Sequence, residues 1–75
     1  MTPKLPAVTA KEVVRVAERL GFTFRRQSGG HAIYVRARDQ ARIVIPVHGG
    51  DLKRKTLRAM IHDLKISVAE FAQML

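Results

Sequence analysis

Ser28-Gly29-Gly30 separates two apolar-rich runs, and a paired-glycine break of that kind closes a tight antiparallel hairpin. Before it, Phe22-Thr23-Phe24-Arg25-Arg26 alternates apolar and polar with period two. After it, His31 to Arg36 resumes with Ile33, Tyr34 and Val35. A second polar turn, Ala37-Arg38-Asp39-Gln40, leads to Arg42-Ile43-Val44-Ile45-Pro46, a nearly continuous apolar run that belongs centrally or against a helix. Pro46 lacks an N–H and marks where regular pairing stops. The expectation is a three-stranded antiparallel meander.

The flanks read as helices. Met1–Ala7 carries Pro3 and Pro6 and is expected as an extended lead-in. Thr9 and Glu12 have capping-box spacing, each side chain able to satisfy the other's backbone N–H. From there Val13, Val16, Ala17 and Leu20 share one face over roughly Ala10 to Leu20, while Lys11, Arg15, Glu18 and Arg19 cover much of the other. Gly21 tolerates the left-handed geometry that closes a helix. Beyond Pro46-Val47-His48-Gly49-Gly50, the spacing of Leu57, Met60, Ile61 and Leu64 predicts a second helix. Ser67 and Glu70 repeat the capping box and open a short last helix, with Phe71 and Leu75 expected in the core. The order is α+β. Two helices cannot cover both faces of so small a sheet without separating, so both are expected on one face, with the other open.

A chain of 75 residues builds one small core, so residues 1–75 are expected as a single domain. It has no cysteine, which excludes disulfide and thiolate chemistry. Nothing in Met1–Thr9 resembles a secretion signal, and no apolar run approaches the roughly 20 residues that cross a bilayer. A soluble cytoplasmic protein without a membrane partner is the expectation. Fourteen Lys and Arg against six Asp and Glu give a net charge of +8, spread from Lys4 to Lys65. A folded chain with that excess favours a polyanion or an acidic protein as partner.

His31 follows two glycines that let a substrate backbone come close. An imidazole with an ordinary pKa of about 6.5 can take a proton from a ribose 2′-OH or give one to a leaving oxygen near neutrality. That chemistry selects RNA, because the 2′-OH is the internal nucleophile. An exposed histidine at a hairpin exit fits the same spacing without any such role. His48 is a second candidate, for phosphate binding, and His62 is expected to face solvent. Arg25, Arg26 and Arg42 can flank the hairpin. Lys53, Arg54, Lys55 and Arg58 crowd the start of the second helix, against the acidic preference there. A bound anion would explain that choice, and so would a solvated surface. Tyr34 can stack on a base or fill the core. Asp39, Asp51 and Asp63 form no recognised ligand motif, and neither glycine pair belongs to a nucleotide-cofactor loop, so no metal and no cofactor are expected.

Several blocks together resemble the HicA toxins, small mRNA interferases of bacterial toxin–antitoxin pairs. They are Lys4-Leu5-Pro6, Thr9-Ala10-Lys11-Glu12-Val13, Leu20-Gly21-Phe22, Arg26 through Tyr34, Val44 through Gly49, and Leu52 through Ile61. The resemblance implies a fold like the double-stranded RNA-binding domain, α-β-β-β-α, and a metal-independent endoribonuclease acting on mRNA. It maps the family histidine onto His31. It also implies a HicB-like antitoxin that blocks the active surface. RNA contacts would then come from Arg25, Arg26, Ser28, Gly29, Gly30, Tyr34, His48, Lys53, Arg54, Lys55 and Arg58. The family commonly reads Gly-Ser-His in the turn, where this chain has Gly29-Gly30-His31, with Ser28 one register away. The alternatives are a non-catalytic RNA-binding module of the same fold and an adaptor whose basic face binds an acidic protein. Nothing in the sequence specifies self-association, so the free protein is expected as a monomer.

Overall fold

A computed structural model describes residues 5–75. The elements are α1 (Ala10–Arg19), β1 (Thr23–Ser28), β2 (His31–Arg36), β3 (Ala41–Pro46), α2 (Arg54–Asp63) and α3 (Val68–Met74). The three strands form one antiparallel sheet in the order β1-β2-β3. This is the α+β arrangement of the double-stranded RNA-binding domain, extended by a short third helix. No helix among the described residues is long and apolar enough to cross a membrane.

Both capping boxes form. Thr9 Oγ1 accepts from the Glu12 N–H, and Glu12 Oε1 accepts from the Thr9 N–H at 3.0 Å. Ser67 and Glu70 repeat the exchange at the start of α3. Such a cap contributes about 1 kcal/mol. Gly21, at φ +94, turns the chain out of α1.

Both long helices lie on the same side of the sheet. Val13, Val16 and Ala17 of α1 and Leu57, Met60 and Ile61 of α2 are buried with Ala32 and Tyr34 of β2 and Ala41, Ile43 and Ile45 of β3. Phe71 from α3 completes this core with no exposed surface. Leu75, expected beside it, is 44 % exposed, because α3 ends at Met74 and the chain leaves the core there.

The lead-in is more than a tether. Met1–Lys4, with Pro3, lies outside the described residues, but Leu5 and Val8 are buried, and the Leu52 N–H donates to the Val8 carbonyl at 2.8 Å. Thr9 bridges to Asp51, so the segment before α1 is paired with the segment before α2.

Pro46 ends β3, yet pairing runs one residue past it: the Val47 N–H donates to the Gly30 carbonyl at 2.7 Å. In antiparallel alternation that bond makes His31 and Pro46 a non-hydrogen-bonded pair. The donor that proline lacks would therefore point away from β2, and its loss leaves the ladder whole.

The first strand differs from its expected bounds. β1 runs Thr23–Ser28, with Phe22 buried just before it and Phe24 55 % exposed. Both α1 and α2 pack against β3. Phe24, on the far edge strand, projects beyond that cover and packs edge-on against Tyr34, ring centroids 5.6 Å apart.

Candidate functional site

His31 opens β2 directly after the hairpin turn. Its Cα partners are Ser28 on β1 and Pro46 on β3. Because side chains alternate along a strand, the burial of Ala32 and Tyr34 against the helices places His31, Ile33 and Val35 on the opposite face. The His31 side chain is exposed and makes no hydrogen bond or ion pair with the described residues.

The turn itself is open ground. Gly29 lies at φ +58 while Gly30 stays outside the left-handed region, the φ pattern of a type II′ hairpin turn. A Cβ at either position would meet nothing within 4 Å. A polynucleotide backbone can therefore reach the turn unobstructed, and Gly30, unlike Gly29, sits where a serine fits.

Arginines converge further along the same face. The β1–β2 register slips between Phe24 and Arg26, leaving Arg25 as the extra residue of a bulge. Strict alternation would send Arg25 and Arg26 to opposite faces, but both line a cleft of about 290 Å³ with Ile33, Val35 and Arg42. Arg42 stands opposite Val35 across the β2–β3 ladder. None of the three guanidinium groups has an acidic partner among the described residues, and no carboxylate lines the cleft. Arg42 alternates with the buried Ala41 and Ile43, which puts it on the His31 face. The bulge that recruits Arg25 has no local sequence signal.

His48 belongs to the other side. Its Nδ1 lies 2.9 Å from the Gly49 carbonyl, which can only accept, so Nδ1 is the donor in that contact. With Lys11, Phe24, Tyr34 and Val47 it lines a largely apolar groove of about 690 Å³ between α1 and the hairpin. Tyr34 is 8 % exposed, and burial pushes its phenol pKa up. Its ring lies on the helix-bearing face, so base stacking on the His31 face is closed to it. His62 has a 91 % exposed side chain, as expected.

The α2 cations share the end of the molecule that holds both histidines. The carboxyl end of α2, at His62 and Asp63, lines a cleft with Ala41 and Arg42 at the start of β3, so its amino end lies toward Pro46. Lys53, Arg54, Lys55 and Arg58 are exposed there, the first turn holds no acidic residue, and Lys53 gives no side-chain cap. Unpaired N–H groups and lysines at one helix start favour an anion.

One strongly perturbed group is structural. Arg36 is only 6 % exposed and donates twice to Asp39, Nε to Oδ1 at 3.0 Å and Nη2 to Oδ2 at 2.9 Å, and through Nη1 to the Leu20 carbonyl at 2.9 Å. Its guanidinium also lies 4.6 Å from the Phe22 ring centroid. These bonds hold the Asp39 carboxyl far below the usual carboxylate range. The cluster joins the end of α1 to the β2–β3 turn, at the other end of β2 from His31, and sequence periodicity did not reveal it.

Among the described residues no three His, Asp or Glu side chains gather as metal ligands. No curated protein matches the chain. The family described as the HicA toxin of bacterial toxin-antitoxin matches residues 10–66, from the start of α1 to just past α2, and so spans the sheet, both glycine pairs and the basic helix start. A toxin of such a pair has an antitoxin as its partner. The chain belongs to the HicA toxin family.

Proposed function

We propose that the chain is a metal-independent endoribonuclease that cleaves mRNA, with His31 as its catalytic residue. One observation carries the reading: within a toxin-family domain, the imidazole stands exposed beside a glycine turn that a polynucleotide backbone can approach freely. His31 takes the proton from a ribose 2′-OH as that oxygen bonds to phosphorus, the bond from phosphorus to the 5′-oxygen breaks, and the leaving 5′-oxygen takes its proton from the His31 imidazolium or from water. The products are a 2′,3′-cyclic phosphate and a 5′-hydroxyl. Ser28, Gly29 and Gly30 admit the backbone. Arg25, Arg26, Lys53, Arg54, Lys55 and Arg58 hold phosphates, and His48 assists at the same end. Cations close to the reacting phosphorus offset the charge that develops there. A HicB-like antitoxin neutralises the protein by covering this surface.

His31→Ala is the test. RNA cleavage and growth arrest should disappear while the melting temperature stays put, since the side chain is exposed. Undiminished cleavage by the purified variant would overturn the assignment.

A second reading has its own observation. No described side chain holds the His31 ring in a fixed orientation, as suits a non-catalytic RNA-binding module. Stable RNA binding by the unaltered protein, with no product after long incubation with or without chelator, would select it.

A further inference from the structure

We infer that the cleft of Arg25, Arg26 and Arg42 over Ile33 and Val35 is a nucleotide-binding subsite, which seats one unpaired base of a single-stranded RNA running along β2 from His31. The inference rests on the ribonuclease reading and extends it from the reacting atoms to the path of the substrate.

The bulge at Arg25 places a third guanidinium on a face that would otherwise carry two. Among the described residues all three lack acidic partners, although the chain has carboxylates available, and Arg36 and Lys65 both engage Asp39. Unpaired arginines around an apolar floor suit a nucleotide: the planar groups stack on a base or grip a phosphate with two donors, and Ile33 and Val35 take up apolar contact. A volume of about 290 Å³ fits one base.

Spacing links the cleft to the imidazole. His31, Ile33 and Val35 occupy successive positions on one face of β2, about 7 Å apart in an extended strand. That repeat is comparable to the phosphate spacing of an extended polynucleotide. A strand with its scissile linkage at His31 puts its neighbouring nucleotide over Ile33 beside Arg26, with Arg42 one step further along the face, opposite Val35. A duplex cannot supply this base, because its bases are stacked and paired.

Binding of a 2′-O-methyl oligoribonucleotide, which resists attack by the 2′-oxygen, is measured by fluorescence anisotropy over a salt series, as single strand and as duplex. Arg25→Ser with Arg42→Ser should weaken single-strand binding about tenfold. It should also shrink the salt slope by about 1.4, for two lost phosphate contacts. Duplex binding should change little. Arg42→Lys keeps the charge and loses the plane, and should recover the salt slope without the full affinity. Thermal melts of these surface variants should match the unaltered protein. Unchanged single-strand affinity and slope in the double variant, with the loss confined to a Lys53→Ser, Arg54→Ser, Lys55→Ser triple variant, would overturn the inference. Equal losses on single strand and duplex would overturn it too. Cleavage of natural RNA by His31→Ala is scored separately: if it persists while the cleft variants lose binding, the catalytic assignment falls and the subsite stands.

Discussion

Ile33 and Ile43 form a matched pair of perturbations, one residue type on neighbouring strands and opposite faces of the sheet. Ile43 is fully buried beneath the helices, and Ile33 is 6 % exposed on the helix-free face. Truncation to alanine removes three carbons, worth about 2.4 kcal/mol at about 0.8 kcal/mol per buried group. At Ile43 the void lies under two helices and cannot collapse, which brings the loss to about 4 kcal/mol. At Ile33 the flanking Arg26 and Arg42 stems can settle into the gap, so the loss stays near the transfer value, about 2 kcal/mol. A 75-residue domain has roughly 4–11 kcal/mol in all. Ile43→Ala therefore sits at the edge of folding, and Ile43→Val with Ile33→Val form the working pair, at about 1.3 and about 0.5 kcal/mol. Urea titration followed by circular dichroism reads them: with a slope of about 1 kcal/mol per molar, the midpoints should fall by about 1.3 M and about 0.5 M. Equal shifts would refute the claim that only one face is closed.

Three further outcomes follow from local geometry. Gly29→Ala should cost about 1–2 kcal/mol in thermal or urea melts, because φ +58 disfavours an L side chain, whereas Gly30→Ser should be neutral within about 0.5 kcal/mol. Asp39 is depressed by its bonds to Arg36, so its contribution is complete above the ordinary carboxylate range and is lost as pH falls through its lowered value; Asp39→Asn should flatten the acid limb of a stability–pH profile, and an unchanged limb would contradict this. Thr9→Ala should lower stability by about 1 kcal/mol in a urea titration, by removing the cap of α1.

Much of this fold was legible because burial repeats where elements are regular. The valine–alanine stripe of α1, the two capping boxes and the span His31–Arg36 each carry their signal within a few residues. The misses share a different cause. Arg36 is buried only because Asp39, Phe22 and the Leu20 carbonyl meet it, and none of these is visible from period two. Arg25 joins Arg26 on one face through a slip in pairing that depends on β2 as much as β1. Val8 is buried because the chain before α2 comes back to pair with it. For the candidate site, His31 and the basic start of α2 stood out beforehand, the latter because it runs against the helix dipole. Tyr34 was ambiguous until the strand's phase assigned it to the helix side.

Pro46 limits how anything can dock on the outer margin of β3. Along that margin the outward N–H groups come from alternate residues, Arg42 and Val44, and the next in the series is absent. An incoming strand from a neighbour would run out of donors just where it drew level with His31. Inhibitors and stray copies alike must then reach the imidazole by a route other than pairing along β3.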